Sequence, residues 1–181
     1  TIDRVDICEN GTDVYVRIID YKTGKKDFNI VKTYYGIDIQ LMVYMEAAMK
    51  LVAKMRPGKN VIPAGVFYYN ISDPIVSATT ESAEEIEDKI KGELRLKGMV
   101  NSDKDIAEKM DNTGGTSLNI PVSRKADGGF DSRRSKVMNT EQFNMLGRFV
   151  DVRAVDTADR IAGGDIRRSP YKDGQFSSCD R

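Results

Sequence analysis

The chain has 181 residues, 40% of them hydrophobic, with 28 basic and 28 acidic side chains, no histidine and a formal net charge of zero. That size and apolar share predict one α/β domain with a real core. A neutral balance excludes a polyanion grip spread over the whole surface, so any nucleic-acid contact needs basic residues gathered on one face or a strand delivered by another domain. No apolar run approaches the roughly 18 residues of a membrane span and no secretory segment opens the chain, which points to a cytoplasmic protein with no membrane partner. Two cysteines, Cys8 and Cys179, make neither a disulfide framework nor a zinc motif, and Cys8 reads as a packed or half-exposed thiol.

The segment Ile2-Asp3-Arg4-Val5-Asp6-Ile7 alternates apolar with charged residues, and Asn10-Gly11 is a strong hairpin signal. Together they predict strand 2–8 antiparallel to strand 14–20. Alternation in the second strand puts Val16, Ile18, Asp20 and Lys22 on one face and Tyr21 on the other. That face runs from apolar to charged, and the hairpin can bring Asp3 beside Asp20, whereas Asp6 has the opposite parity from Asp3. A D-x-K triplet taken alone is more often a surface ion pair.

Residues 21–33 read as a polar connection whose Lys22, Lys25, Lys26 and Lys32 either let phosphates pass or are solvated loop charge. Ile37, Leu41, Tyr44/Met45, Ala48, Leu51/Val52 and Met55 predict a helix over 35–55 with one apolar stripe, stopped by Arg56-Pro57-Gly58. Gln40 and Tyr44 lie four apart and share a face of that helix. Met42, Met45, Met49 and Met55 read as flexible core filler. The β-rich run 62–71 predicts a buried strand, and strand, helix, strand in sequence implies a right-handed crossover that sets it parallel to a core strand.

An amphipathic helix is expected over 81–97 from Ser82, and a shorter one over 102–111. Residues 112–116 read as a flexible loop, because no strand feeds their glycines and no Lys-Ser/Thr follows them. Residues 118–122 and 129–131 suggest a hairpin around Asp127-Gly128. Arg124, Lys125, Arg133, Arg134 and Lys136 make the densest basic patch of the chain, suited to phosphates or to docking of a neighbouring protein surface. Thr140 is expected to cap a helix running to Ala162, with Phe143, Leu146, Val150, Ala154, Ala158 and Ile161 on one face and Gly163-Gly164 at its end.

The ordered set Ile2-Asp3, Asp20-Tyr21-Lys22 and Gln40-x-x-x-Tyr44 resembles the RecB-type branch of the PD-(D/E)XK nucleases, and within it the nuclease domain of AddB-type helicase-nuclease subunits. The likeness continues through Tyr34–Gln40, Pro63–Tyr69, Arg134–Val137 and Ser169–Lys172. It implies an α/β, restriction-endonuclease-like core, a central mixed sheet flanked by helices, with an added C-terminal hairpin and helix. It further implies a metal-dependent DNA exonuclease that hydrolyses single-stranded DNA during double-strand-break processing, beside an AddA-like helicase-nuclease subunit. In that reading Asp3, Asp20 and the carbonyl of Tyr21 hold Mg²⁺ or Mn²⁺, and Lys22 orients the attacking water or stabilises charge on the phosphate. Gln40 and Tyr44 support the site or touch DNA, and Lys25, Lys26, Arg124, Arg133 and Arg134 contact the strand.

Residues 1–172 then read as a nuclease domain fragment lacking the fold's N-terminal helix, and 173–181 as a frayed tail. Cys179 is the only cysteine that matches the iron-sulfur segment of such proteins. A [4Fe-4S] cluster takes about four thiolates, so no cluster is expected here. The alternative is a catalytically incomplete nuclease fold that guides DNA or scaffolds the helicase-nuclease.

Overall fold

The N-terminal alternation folds into an antiparallel hairpin of β1 (Arg4–Asn10) and β2 (Asp13–Lys22), with Arg4 opposite Ile19 and Asn10 opposite Asp13. The structure, a computed structural model, describes residues 2–71, 74, 82–168, 170–174 and 176–177. Only Gly11 and Thr12 remain in the turn, and Gly11 takes φ 61°, the positive value that the first position of a II′ turn requires. So tight a turn lets pairing run up to Asn10 and Asp13, beyond the expected bounds. As an edge strand, β1 leaves Cys8 exposed, not packed.

The helix expected over 35–55 starts later, at Gln40, and the connection expected over 21–33 contains a short helix of its own. A short helix α1 (Ile30–Tyr34) is capped by Asn29, whose side chain accepts from Lys32 N at 3.0 Å. Gly36 then takes φ 80°, which a helix cannot continue through, and α2 (Gln40–Met55) starts only after Ile39. Its buried Leu41, Met42, Met45, Ala48 and Val52 pack on Val14, Val16, Ile18, Val66 and Tyr68 of the sheet. The crossover through α2 returns the chain as β3 (Asn60–Asn70), parallel to β2 with Asp20 opposite Tyr68 and Lys22 opposite Asn70.

Two further strands depart from the sequence expectation. β4 (Lys97–Asn101) runs antiparallel to β3, and β5 (Val137–Met138) runs parallel to β4 at the edge, giving the mixed order β1-β2-β3-β4-β5. Gly98 is what allows the close approach of β4: a Cβ there would lie 2.0 Å from the Val66 carbonyl oxygen. Between β3 and β4 stands α3 (Ala83–Leu94), capped by Ser82 and Glu85 in a reciprocal box, and after β4 comes α4 (Lys104–Met110), capped by Asp103.

The long helix α5 (Thr140–Ala162) is capped by Asn139 with Gln142, not by Thr140. It buries Phe143, Gly147 and Val150, but Ala158 is exposed and Ile161 is 70% exposed, so the expected stripe stops where no described layer lies against it. The hairpin expected over 118–131 is reduced to two isolated bridges, Thr116 with Ser123 and Arg124 with Phe130. A small antiparallel pair, β6 (Lys172–Asp173) and β7 (Phe176–Ser177), follows. Cys179 lies outside the described residues. No helix among those described is long and apolar enough to cross a membrane.

Candidate functional site

Strand parity carries Asp20 into the layer between the sheet and α2. Val16 and Ile18 lie on the α2 side with no exposure, and two residues on, Asp20 is still only 2% exposed. A carboxylate that dry needs partners. Gln40, the first residue of α2, donates from Nε2 to Asp20 Oδ1 at 3.1 Å, and Lys22 Nζ comes within 2.6 Å of Asp20 Oδ2. Lys22 Nζ also donates to Gln40 Oε1 at 3.1 Å, which closes a ring of acid, amide and ammonium. Gln40 Nε2 reaches Tyr44 Oη at 2.9 Å, one turn along the helix.

The ring is incomplete at one atom. The ammonium approaches Asp20 Oδ2 outside hydrogen-bonding angles, so this buried oxygen has its countercharge but accepts no hydrogen bond among the described residues. Asp3 immediately precedes β1 and is exposed, and its Oδ2 accepts from the Tyr21 backbone N–H at 3.0 Å. The structure thus brings Asp20, Lys22, Gln40 and Tyr44 into direct contact and sets Asp3 at the same strand end through the Tyr21 backbone. The Tyr21 side chain points to the opposite sheet face, edge-on to Tyr69 with ring centroids 5.8 Å apart.

Two further residues join this cluster that the sequence did not single out. Tyr68, opposite Asp20 in the parallel register, is 1% exposed and its hydroxyl has no hydrogen-bond partner among the described residues. Burial, reinforced by the nearby Asp38, Asp20 and Tyr44, raises its phenol well above the usual range. Asp38 pairs with Lys26 Nζ at 2.5 Å, and Lys22 and Lys26 each stand 5.7 Å from the centre of the Tyr68 ring. In a β-rich run Tyr68 reads as plain core, and only the pairing of β3 with β2 reveals its neighbours.

The basic residues sort differently. Lys25 and Lys26 line a hollow with Arg95, Lys97 and Lys136, and Arg133 and Arg134 line the next one, which shares Arg95 and Lys136 with the first. Segments remote in sequence therefore join into one basic surface, although Lys136 is also paired with Asp27 and the first hollow includes Glu93. Arg124 is committed inward, its guanidinium donating to the carbonyls of Asp111 and Thr113 at 2.6 Å each.

A carboxylate and an ammonium at one strand end, backed by an amide from the adjoining helix, agree with what the whole sequence resembles: the profile of the PD-(D/E)XK nuclease superfamily matches residues 1–181. The chain belongs to that superfamily. Proteins named as ATP-dependent helicase/deoxyribonuclease subunits are similar to it over nearly all its length. The one from Thermoanaerobacter sp. (strain X514) is 38% identical over 180 residues, or 98% of this chain and 15% of that protein. Those from Clostridium botulinum (strain Hall) and Clostridium tetani (strain Massachusetts / E88) are 38% and 40% identical, each aligned over 16% of its own length. The chain spans about one sixth of these relatives or slightly less.

Nucleases of this superfamily typically use divalent metal ions. The residues at the strand end suit such an ion: Asp20 Oδ2 is a buried hard oxygen with no hydrogen bond to give up, and Asp3 supplies a second carboxylate. Among the described residues no three Asp, Glu, Cys or His side chains gather as a metal cage. The remaining ligands would be backbone carbonyl, water or phosphate, the mixture that Mg²⁺ characteristically keeps.

Proposed function

We propose that this domain is a Mg²⁺- or Mn²⁺-dependent DNA exonuclease that hydrolyses a single strand fed to it by an AddA-like helicase-nuclease subunit, in the cytoplasm, during double-strand-break processing. The observation that carries the reading is the Asp20–Lys22–Gln40 ring, with one carboxylate oxygen that accepts no hydrogen bond among the described residues, at the strand end where Asp3 is held by the Tyr21 backbone N–H.

Asp3 and Asp20, with the carbonyl of Tyr21, would hold the ion. When bound it would activate water and offset charge on the phosphate. Lys22 supplies a positive charge that can move from Asp20 to a phosphate oxygen or orient a water, since it is held by a single flexible stem. Gln40 fixes the carboxylate that Lys22 would leave, and Tyr44 fixes Gln40. The joined hollows of Lys25, Lys26, Arg133 and Arg134 offer a path for the phosphate backbone, and they answer the difficulty posed by a neutral net charge.

The test is cleavage of linear single-stranded DNA with Mn²⁺ by the unaltered domain, Asp20→Ala and Lys22→Ala. The expected loss is about 10³-fold for Asp20→Ala and about 10²-fold for Lys22→Ala. Equal cleavage by all three rejects these roles. The second reading, a nuclease fold that guides DNA without cutting it, is favoured by the lack of a third acidic ligand among the described residues. It requires DNA binding without divalent ions and no site affinity for Mn²⁺.

A further inference from the structure

On the sheet face opposite the Asp20 ring, the ends of β2 and β3 open into a groove of about 530 Å³. Its wall is the Tyr21–Tyr69 pair, adjacent in the parallel register and packed edge to face at 80°, with Tyr21 still 37% exposed. An edge-to-face pair occupies only one face of one ring, so aromatic surface remains open to a third planar group. Arg4, Arg17 and Lys91 line the same groove, and among the described residues no acidic side chain does. Asp6 stands behind the two arginines, taking Arg4 Nε at 2.8 Å and Arg17 Nη2 at 2.5 Å. It fixes the guanidinium groups side by side while Arg4 Nη2 and Arg17 Nη1 have no partner among the described residues. Among the described residues Lys91 pairs with the exposed Glu87 one turn away on its own helix.

We infer that this groove binds single-stranded nucleic acid, one base stacking on the Tyr21–Tyr69 pair and the flanking phosphates meeting Arg4, Arg17 and Lys91. The inference rests on the nuclease reading for its polymer and extends it to a face of the sheet that the reacting residues do not touch. Three lines support nucleic acid over a free anion or a polypeptide. The floor between the tyrosines and α3 is aliphatic, with Ile19, Leu94, Leu96 and Leu118, which suits a base and wastes a lone phosphate. The rim is cationic, which suits a repeating anion. The Tyr21 backbone N–H is held by Asp3, so a strand lying on the Tyr21 ring passes one residue from Asp20. Stacking needs no particular base, as a nuclease that digests any sequence requires.

The experiment uses the whole chain and a fluorescein-labelled oligothymidylate carrying 5-iodouracil, in EDTA so that binding is read without cleavage. Tyr69→Leu is expected to weaken binding about tenfold, and Tyr69→Phe, which keeps the ring, to stay within about twofold. Lys91→Glu, an exposed helix position whose change leaves the fold intact, should weaken it about fivefold, and more at low salt than at high. Photocrosslinks should fall on Tyr21 or Tyr69. Unchanged binding by Tyr69→Leu and Lys91→Glu, with crosslinks elsewhere, overturns the groove as a nucleic-acid site. If crosslinks reach the tyrosines but Mn²⁺ brings no cleavage, the groove stands and the nuclease reading falls. If cleavage proceeds while Tyr69→Leu binds normally, the nuclease reading stands and the groove falls.

Discussion

Asp20 and Asp111 are both carboxylates nearly out of water, 2% and 8% exposed, and they are held in opposite ways. Asp111 follows α4 and organises the loop after it. Its Oδ1 accepts from Thr113 N at 2.8 Å, and its Oδ2 from Ser117 Oγ at 2.5 Å and Asn119 Nδ2 at 3.1 Å. Ser117 Oγ in turn accepts from the backbone N–H groups of Asn119 and Ile120. Every donor is neutral and comes from the next eight residues. Asp20 takes its partners from its own strand end and from α2, one of them the Lys22 ammonium, and keeps one oxygen without a hydrogen bond among the described residues. A saturated, neutral, local shell builds a loop; a charged, unsaturated shell assembled from separate elements leaves capacity for a ligand.

Substitution at the two positions should therefore give contrasting stability effects. Asp111→Ala orphans a buried hydroxyl, a backbone N–H and an amide, and is expected to cost about 3 kcal/mol of unfolding free energy. Asp20→Ala is expected to change stability by less than about 1 kcal/mol, because Lys22, 29% exposed at its side chain, can turn to water. Urea denaturation of both variants checks this. A larger loss at Asp20 than at Asp111 would break the distinction.

Acid sharpens it. Burial alone would raise the Asp111 carboxyl, but the hydrogen bonds from Ser117, Thr113 and Asn119 outweigh it and lower the group to about 2 from the ordinary 3.8. The unfolded chain thus binds this proton more readily than the folded one. The stability contributed by Asp111 is complete above about pH 4 and disappears as the pH falls through about 2. Unfolding free energies from urea titrations between pH 5 and pH 2 should fall less steeply for Asp111→Asn than for the unaltered chain, by up to about 2 kcal/mol over that window.

The same contrast separates what can be read in the sequence from what cannot. Period-two alternation and a glycine turn signal a hairpin directly, and strand, helix, strand signals the parallel β3. The contact among Asp20, Lys22, Gln40 and Tyr44 follows from strand parity joined to helical spacing, both local rules. β4 is hidden because it is only five residues long, begins and ends on the polar Lys97 and Asn101, and holds Gly98, all of which weaken a strand signal. The loop over 112–116 reads as flexible because its order depends on Asp111 and on Arg124, whose guanidinium clamps the two carbonyls. The spacing of Asp111 ahead of Thr113 is nonetheless the signal of an Asx turn. Tyr68 and Asp38 enter the cluster only through tertiary register, which no single window contains.

Tyr68 gives the smallest effect and the finest test, because it lies beside the unsaturated carboxylate and is itself unsaturated. Its hydroxyl is buried without a hydrogen-bond partner among the described residues, a state that costs the fold the hydration the phenol had in the unfolded chain. Tyr68→Phe removes that cost and keeps the ring under the ammonium groups of Lys22 and Lys26, so stability should hold or rise by about 1 kcal/mol. A loss of more than about 1 kcal/mol in urea denaturation would mean that the hydroxyl is satisfied in solution by a buried water shared with Asp20 or Asp38. The Asp20 shell would then be closed as fully as that of Asp111, and its spare oxygen would no longer distinguish the two.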